Sequence, residues 1–129
     1  MPRLSLSQQL EILSPYGIPP LEPLSLSTMQ INLGRKCNQA CVHCHVEASP
    51  ARTEIMELAT AERCLELMAS LPTLKVLDLT GGAPELKSQF RRLVQGGRTL
   101  GLRVIVRSHL TSLLDPGQEE LGAFLCDNW

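Results

Sequence analysis

The sequence lacks a surplus of charge of either sign. Its 129 residues carry 12 Lys and Arg against 13 Asp and Glu, which gives a formal net charge of −1. Surfaces that bind nucleic acid or anionic membranes are built from clustered basic residues, and no basic stripe stands out in this chain. The composition therefore argues against a nucleic-acid partner and against a membrane partner.

Long apolar runs are also missing from the sequence. No stretch approaches the roughly 18 consecutive apolar residues of a membrane helix. The N-terminal segment MPRLSLSQQLEILSPYGIPP has neither the basic region nor the unbroken apolar region of a secretory signal. With 43% hydrophobic residues, the chain is expected to form one soluble globular domain in the cytoplasm.

Cysteine is scarce outside one segment. Three of the five cysteines and two of the three histidines lie in CNQACVHCH, residues 37–45. In a reducing cytoplasm, an odd number of cysteines with this clustering indicates metal or redox chemistry rather than a disulfide framework. Cys64 lies on the apolar stripe of a predicted helix and is interpreted as a core thiol, and Cys126 as incidental.

Residues 1–27 are rich in Ser, Leu and Pro. The 4 prolines between positions 15 and 23 exclude continuous regular structure beyond a first short helix. We interpret this segment as an N-terminal lead-in to a domain that spans residues 28–129.

Apolar periodicity, with glycine and proline at the boundaries, predicts alternating strands and helices. The predicted strands are Thr28–Gly34, Lys75–Thr80 and Leu102–Ser108. The predicted helices are Leu6–Leu13, Thr60–Leu71, Glu85–Leu100 and Gln118–Cys126. We expect Thr60 to cap the second helix and Gly101 to end the third. Strands that alternate with helices imply right-handed crossovers and a parallel α/β sheet.

The spacing Cys37-x3-Cys41-x2-Cys44 places three thiols in one loop after the first strand, the cysteine loop (residues 35–56). Structural zinc usually has four ligands in two separated pairs, and His43 or His45 would strain the loop as the fourth. Iron–sulfur clusters are commonly held by closely spaced cysteines, and three of them leave one iron free for an exchangeable ligand. The loop alone leaves an iron–sulfur cluster, a zinc ion and thiols without a cofactor as alternatives.

A second motif, TGGAPE (Thr80–Glu85), follows the second strand and is called the glycine turn below. Ligands of parallel α/β sheets bind beyond the carboxyl ends of the strands, so the cysteine loop and the glycine turn should share one edge. Gly81 and Gly82 allow the backbone to approach a ligand closely. Pro84 stiffens the exit from the turn, and Asp78 places a polar group at its mouth.

Together, CxxxCxxC after the first strand and a GGxP turn after the second resemble the radical S-adenosylmethionine (SAM) superfamily. The chain is most similar to the arsenosugar biosynthesis radical SAM proteins. The similarity runs through INLGRKCNQACVHCHVEASPARTE, LDLTGGAPEL, FRRLV and LGLRVIVRSHLTSLLDPGQEEL. It implies the first half of a parallel partial (βα)6 radical SAM barrel of TIM-like type, with residues 28–129 as a truncated N-terminal fragment of that domain.

The resemblance also implies a site. The implied ligands of a [4Fe-4S] cluster are Cys37, Cys41 and Cys44. The implied cofactor-binding residues are His43, Gly81, Gly82, Ala83 and Pro84. The turn residues would meet the methionyl amino group of SAM through backbone atoms, and His43 stands just before the third cysteine, where the superfamily often has an aromatic residue.

The implied activity is reductive cleavage of SAM to a 5′-deoxyadenosyl radical. In the arsenosugar branch the adenosyl group would be transferred to a methylated arsenical, with an electron donor such as flavodoxin or ferredoxin. Two alternatives remain, namely an inactive iron–sulfur-binding remnant and a zinc-binding interaction module. No role in the site is assigned to His45, His109, Arg103 or Arg107.

Overall fold

The computed structural model describes residues 5–18 and 25–129. The strands are β1 (Thr28–Asn32), β2 (Val76–Thr80) and β3 (Arg103–Val106). The helices are α1 (Leu6–Leu13), α2 (Leu58–Ala69), α3 (Phe90–Thr99) and α4 (Leu121–Asp127). Helix α1 has the predicted bounds, whereas the predicted irregular path around the prolines at 19, 20 and 23 lies outside the described residues.

All three strands are parallel and follow the order β1-β2-β3, with Thr28 paired to Val76 and Val76 paired to Arg103. The predicted parallel α/β arrangement is therefore confirmed for the described residues. Three adjacent parallel strands with intervening helices are compatible with one part of a radical SAM barrel.

The two faces of the sheet differ in chemistry. Leu77 and Leu79 of β2 are fully buried in the main apolar cluster with Phe90 and Leu93, so helix α3 covers this face. Each leucine buried in this way contributes about 1.5–3 kcal/mol relative to an exposed one. Asp78 lies between them in sequence and therefore points to the opposite face.

Helix α2 begins earlier than predicted, so the assignment of Thr60 as its N-cap is wrong. The N-cap of the helix is Glu57, whose side chain makes no capping hydrogen bond. The N–H of Met56 donates to the carbonyl oxygen of Leu33 at 2.9 Å, and the first helical bond runs from Ala61 to Glu57 at 3.1 Å. The chain is thus fixed to the end of β1 immediately before it turns into the helix.

Helix α3 begins later than predicted. Pro84–Leu86 forms a separate 3-10 turn, and Lys87 has extended backbone angles, φ −96° and ψ 140°. This conformation directs the Lys87 ammonium back beneath the glycine turn, which breaks the helical path. Gly101 ends the helix as predicted, with φ +74°.

Within residues 5–18 and 25–129, no helix combines the length and the apolar character needed to cross a membrane.

Candidate cofactor site

The cysteine loop is closed at its base by backbone hydrogen bonds. The backbone N–H of Arg35 donates to the carbonyl oxygen of Glu54 at 2.9 Å, and the backbone N–H of Cys37 donates to the carbonyl oxygen of Ser49 at 3.2 Å. The backbone N–H of Ser49 donates in turn to the carbonyl oxygen of Arg35 at 3.2 Å. The segment with the three cysteines is therefore held at both ends rather than left as an open connection.

The glycine turn packs directly against the start of this loop. Gly81 and Gly82 have φ of +104° and +53°. A Cβ atom at Gly81 would lie 2.2 Å from Asn32 Oδ1, and one at Gly82 would lie 2.3 Å from the carbonyl oxygen of Lys36. The Ala83 N–H donates to that same Lys36 oxygen at 3.3 Å. Loop and turn meet at one edge of the sheet, as the strand order predicted.

One cavity of about 130 Å³ opens at this edge. The residues that line it include Cys37, Cys41, Cys44, Gly81, Gly82 and His109. The three predicted metal ligands and the two glycines are thus brought to a single site by elements that are far apart in sequence.

The cysteine sulfurs receive hydrogen bonds from the backbone. Cys37 is 7% exposed, and its Sγ accepts the N–H of Gln39 at 3.4 Å. The half-buried Cys44 accepts the N–H of Ala48 at 3.3 Å. Donors aimed at sulfur are the outer contacts that tune thiolate-bound clusters, so the donor set and its surroundings fit an iron–sulfur cluster.

Among residues 5–18 and 25–129, no three His, Cys, Asp or Glu side chains converge closely enough to hold one metal ion. A structural zinc ion needs its ligands about 2.0–2.3 Å from one centre. The described residues therefore contain no preassembled set of ligands for such an ion. The cysteines of a four-iron cluster each bind a different iron atom and do not converge on one point.

The predicted cofactor-binding residues occupy different positions. Gly81 and Gly82 line the cavity, while Ala83 and Pro84 are buried beneath it. His43 is exposed on the cysteine loop. Their roles toward SAM stay predictions.

Lys87 joins the two motifs from below, a role that sequence reasoning missed. Its side chain is buried, and its Nζ donates to the carbonyl oxygens of Lys36, Gly81 and Ala83, the last at 3.2 Å. Burial lowers the pKa of Lys87 to about 8, and the nearby Cys37 and Glu85 partly oppose this effect. Only the fold brings these carbonyl oxygens together around one ammonium group.

Glu85 anchors the end of the glycine turn to the segment that follows β3. Its Oε1 accepts hydrogen bonds from the hydroxyl groups of Ser108 and Ser112. Its Oε2 is buried without a hydrogen-bond partner. The acidic residue that the sequence places after the proline is therefore part of the interior support and does not line the cavity.

On the polar face of the sheet, Asp78 is held by both neighbouring strands. Arg107 donates to it through Nε at 3.0 Å and through Nη2 at 2.7 Å, and Gln30 donates at 2.9 Å. The hydrogen bonds from Arg107 lower the pKa of Asp78. Arg107, which the sequence left without a role, thus neutralises a buried carboxylate one strand away.

No family model matches the chain. Two curated proteins are similar to part of it. YydG of Bacillus subtilis, a protein named for peptide biosynthesis, is 35% identical over 63 residues, which are 49% of this chain and 20% of YydG. The Fe-coproporphyrin III synthase of Methanosarcina barkeri is 30% identical over 82 residues, which are 62% of this chain and 20% of the synthase.

The aligned part thus spans only 20% of the length of each curated relative. Neither relative is named for arsenosugar chemistry, so the matches give no support to that branch. The partial matches, taken with the three-cysteine loop and the glycine turn at one sheet edge, support the radical SAM superfamily for this chain.

Proposed function

We propose that this chain carries the cluster-binding and SAM-binding part of a radical SAM enzyme. One observation carries the proposal, namely that the three cysteines and both glycines of the turn line one cavity. This cavity lies beyond the carboxyl ends of parallel strands, where α/β proteins bind their ligands. The two partial relatives add independent support for the superfamily.

Each group of residues has a distinct task in this proposal. Cys37, Cys41 and Cys44 would hold a [4Fe-4S] cluster and leave one iron without a protein ligand. Gly81 and Gly82 present bare backbone at the cavity wall, which suits the amino and carboxylate groups of SAM. When bound, the cluster would supply the electron for reductive cleavage of SAM to methionine and a 5′-deoxyadenosyl radical.

The surroundings of the cysteines restrict access of water on one side. Cys37, Ala48 and Ala83 form a small buried cluster, against which Cys44 and Val46 pack. Shielding of this kind sets the reduction potential of a cluster, because it limits how well solvent stabilises added negative charge. Cys41 lies on the exposed side, where the described residues leave the cavity open.

For the substrate, we propose a methylated arsenical that accepts the adenosyl group, on the strength of the sequence resemblance alone. The electron donor would be a flavodoxin or a ferredoxin in the cytoplasm. Because the two relatives carry names for other reactions, the shared part of these chains is expected to serve SAM cleavage rather than substrate choice.

The test is anaerobic reconstitution of the full chain with iron and sulfide, followed by SAM and dithionite. We expect iron and sulfide to be retained in the ratio of a [4Fe-4S] cluster and 5′-deoxyadenosine to be released. A cluster without SAM cleavage would support the inactive remnant, and tight zinc binding without a cluster would support the interaction module.

Matched cysteine variants show which thiols are ligands. Cys44→Ala should abolish cluster retention because it removes a half-buried sulfur from the cavity. Cys126→Ala should retain the full iron content, since Cys126 is exposed on α4. Cys64→Ala should do the same, because that thiol packs against the main core. Equal iron content in Cys44→Ala and the wild type would refute the ligand assignment.

A further inference from the structure

His109 brings a ring nitrogen to a predicted cluster ligand. It follows β3 by a few residues and lines the same cavity as the cysteines. Its Nε2 lies 3.5 Å from Cys37 Sγ, which is within hydrogen-bonding distance for sulfur. Which of the two atoms donates depends on the tautomer of the imidazole ring.

Thr111 contacts the other ring nitrogen. Its Oγ1 lies 2.8 Å from Nδ1 of His109. The same hydroxyl oxygen accepts hydrogen bonds from two side-chain amides of the cysteine loop, from Asn38 Nδ2 at 3.3 Å and from Gln39 Nε2 at 3.2 Å. The amide oxygens of these two residues face the thiols, 3.9 Å from Cys37 Sγ and 3.8 Å from Cys41 Sγ.

These contacts indicate a direction for the chain of hydrogen bonds. A threonine hydroxyl has one proton and two lone pairs. Both amide nitrogens face Thr111 Oγ1 and occupy its lone pairs in this arrangement, so the hydroxyl proton is directed at Nδ1 of His109. A Cys37 sulfur that binds a cluster carries no proton and can only accept a hydrogen bond. The Nε2 of His109 is then the donor to that sulfur.

We propose that His109 is a positioning residue that donates an Nε2–H hydrogen bond to Cys37 Sγ and raises the reduction potential of a cluster bound there. This inference rests on the proposed function. A reduced cluster carries one more negative charge, part of it on sulfur, so a donor to sulfur stabilises the reduced state more than the oxidised state. Asn38, Gln39 and Thr111 hold the imidazole ring in the donating tautomer.

The test compares midpoint potentials of the reconstituted cluster in variants of the full chain, by redox titration followed by electron paramagnetic resonance. His109→Leu removes the donor and should shift the potential to a more negative value. His109→Gln retains an N–H donor and should restore part of the shift. An unchanged potential in His109→Leu at equal cluster content would overturn the proposal.

Thr111→Val tests the fixed tautomer with a nearly isosteric change. It should shift the potential in the same direction as His109→Leu, because the ring is then free to place its proton on Nδ1. Thr99→Val is the matched control and should leave the potential unchanged, since Thr99 is exposed at the end of α3 and donates to Gln95. Equal shifts in both threonine variants would contradict the proposed chain of hydrogen bonds.

The tautomer can also be measured without a cluster. In ¹⁵N-labelled apo protein, NMR should place the imidazole proton of His109 on Nε2, and Thr111→Val should reduce the population of that tautomer. A proton on Nδ1 in the wild type would overturn the hydrogen bond. If the wild type takes up no iron, the proposed function and the effect on potential both fail, whereas NMR still decides the direction of the hydrogen bond.

Discussion

At the scale of single residues, the site depends on polar groups that lie beneath the cysteines. Lys87 donates to carbonyl oxygens of both the cysteine loop and the glycine turn, so it replaces hydrogen bonds that water cannot supply in this interior. Glu85 accepts from two serine hydroxyls on the segment after β3. These two charged side chains connect three loops that no secondary structure joins.

Lys87 should titrate well below the range of an ordinary solvated lysine. Its pKa in the folded protein is lowered to about 8 by burial, whereas a lysine in a model peptide titrates at about 10.4. NMR of ¹³C-labelled lysine side chains should show one resonance that titrates near pH 8 and is lost in Lys87→Met. A folded chain without any lysine titration near pH 8 would contradict the burial of this ammonium group.

The same shift gives a pH dependence of stability. Above pH 8 the folded protein binds fewer protons at Lys87 than the unfolded chain does, so the free energy of unfolding should rise with pH up to the ordinary lysine pKa. Urea unfolding of the wild type and of Lys87→Met isolates this contribution as the difference between the two curves. If the difference in unfolding free energy between wild type and Lys87→Met did not change between about pH 8 and the ordinary lysine pKa of about 10.4, the predicted contribution of Lys87 would be refuted.

At the scale of elements, the contact between the glycine turn and the cysteine loop leaves no room for a side chain. Gly82→Ala should lower the free energy of unfolding, because a positive φ costs about 1–3 kcal/mol and the added Cβ would also meet a backbone oxygen at 2.3 Å. Equilibrium unfolding in urea measures the loss. The substitution should also lower cluster retention, since the loop and the turn must separate.

Gly117→Ala is the matched control for backbone strain. Gly117 has φ +83°, but a Cβ added there would have no atom within 4 Å. This variant should therefore lose only the part of the free energy of unfolding that comes from the positive φ. The difference in the loss of unfolding free energy between the two variants measures the cost of the close contact between the added Cβ at Gly82 and the cysteine loop. Equal losses would show that the turn and the loop do not pack as closely as described.

The observed ends of the helices show which boundaries can be predicted from the sequence and which cannot. Helix α1 and the ending of α3 at Gly101 agree with the prediction, since capping residues and glycines act locally. The start of α3 differs, because Lys87 leaves the helical path to reach the carbonyl oxygen of Lys36 in the cysteine loop, together with carbonyl oxygens of the glycine turn just before it. The contact with Lys36 is non-local, and no periodicity in the sequence predicts it.

At the scale of the whole molecule, the cofactor is expected to act as part of the fold. The site is assembled from the segments after β1, β2 and β3, so a cluster that binds only the folded chain stabilises their arrangement. The anaerobically reconstituted protein should unfold at a higher temperature than the apo protein. Circular dichroism in sealed cells measures both midpoints.

Cys44→Ala serves as the control for this effect. Its apo form should unfold close to the wild-type apo protein, and treatment with iron and sulfide should not raise its midpoint. An increase of the same size in Cys44→Ala and in the wild type would mean that iron stabilises the chain by some route other than the proposed cysteines.

The parallel α/β order, and the meeting of the cysteine loop with the glycine turn at one edge, could both be predicted from the sequence. Both follow from local signals, because alternating strands and helices oblige successive strands to end on the same side. Only the folded structure shows that Lys87 contacts the cysteine loop, that Arg107 pairs with Asp78 and that His109 contacts Cys37. Each acts on a residue from a distant segment, and hydrogen bonds between distant segments exist only once the chain has folded.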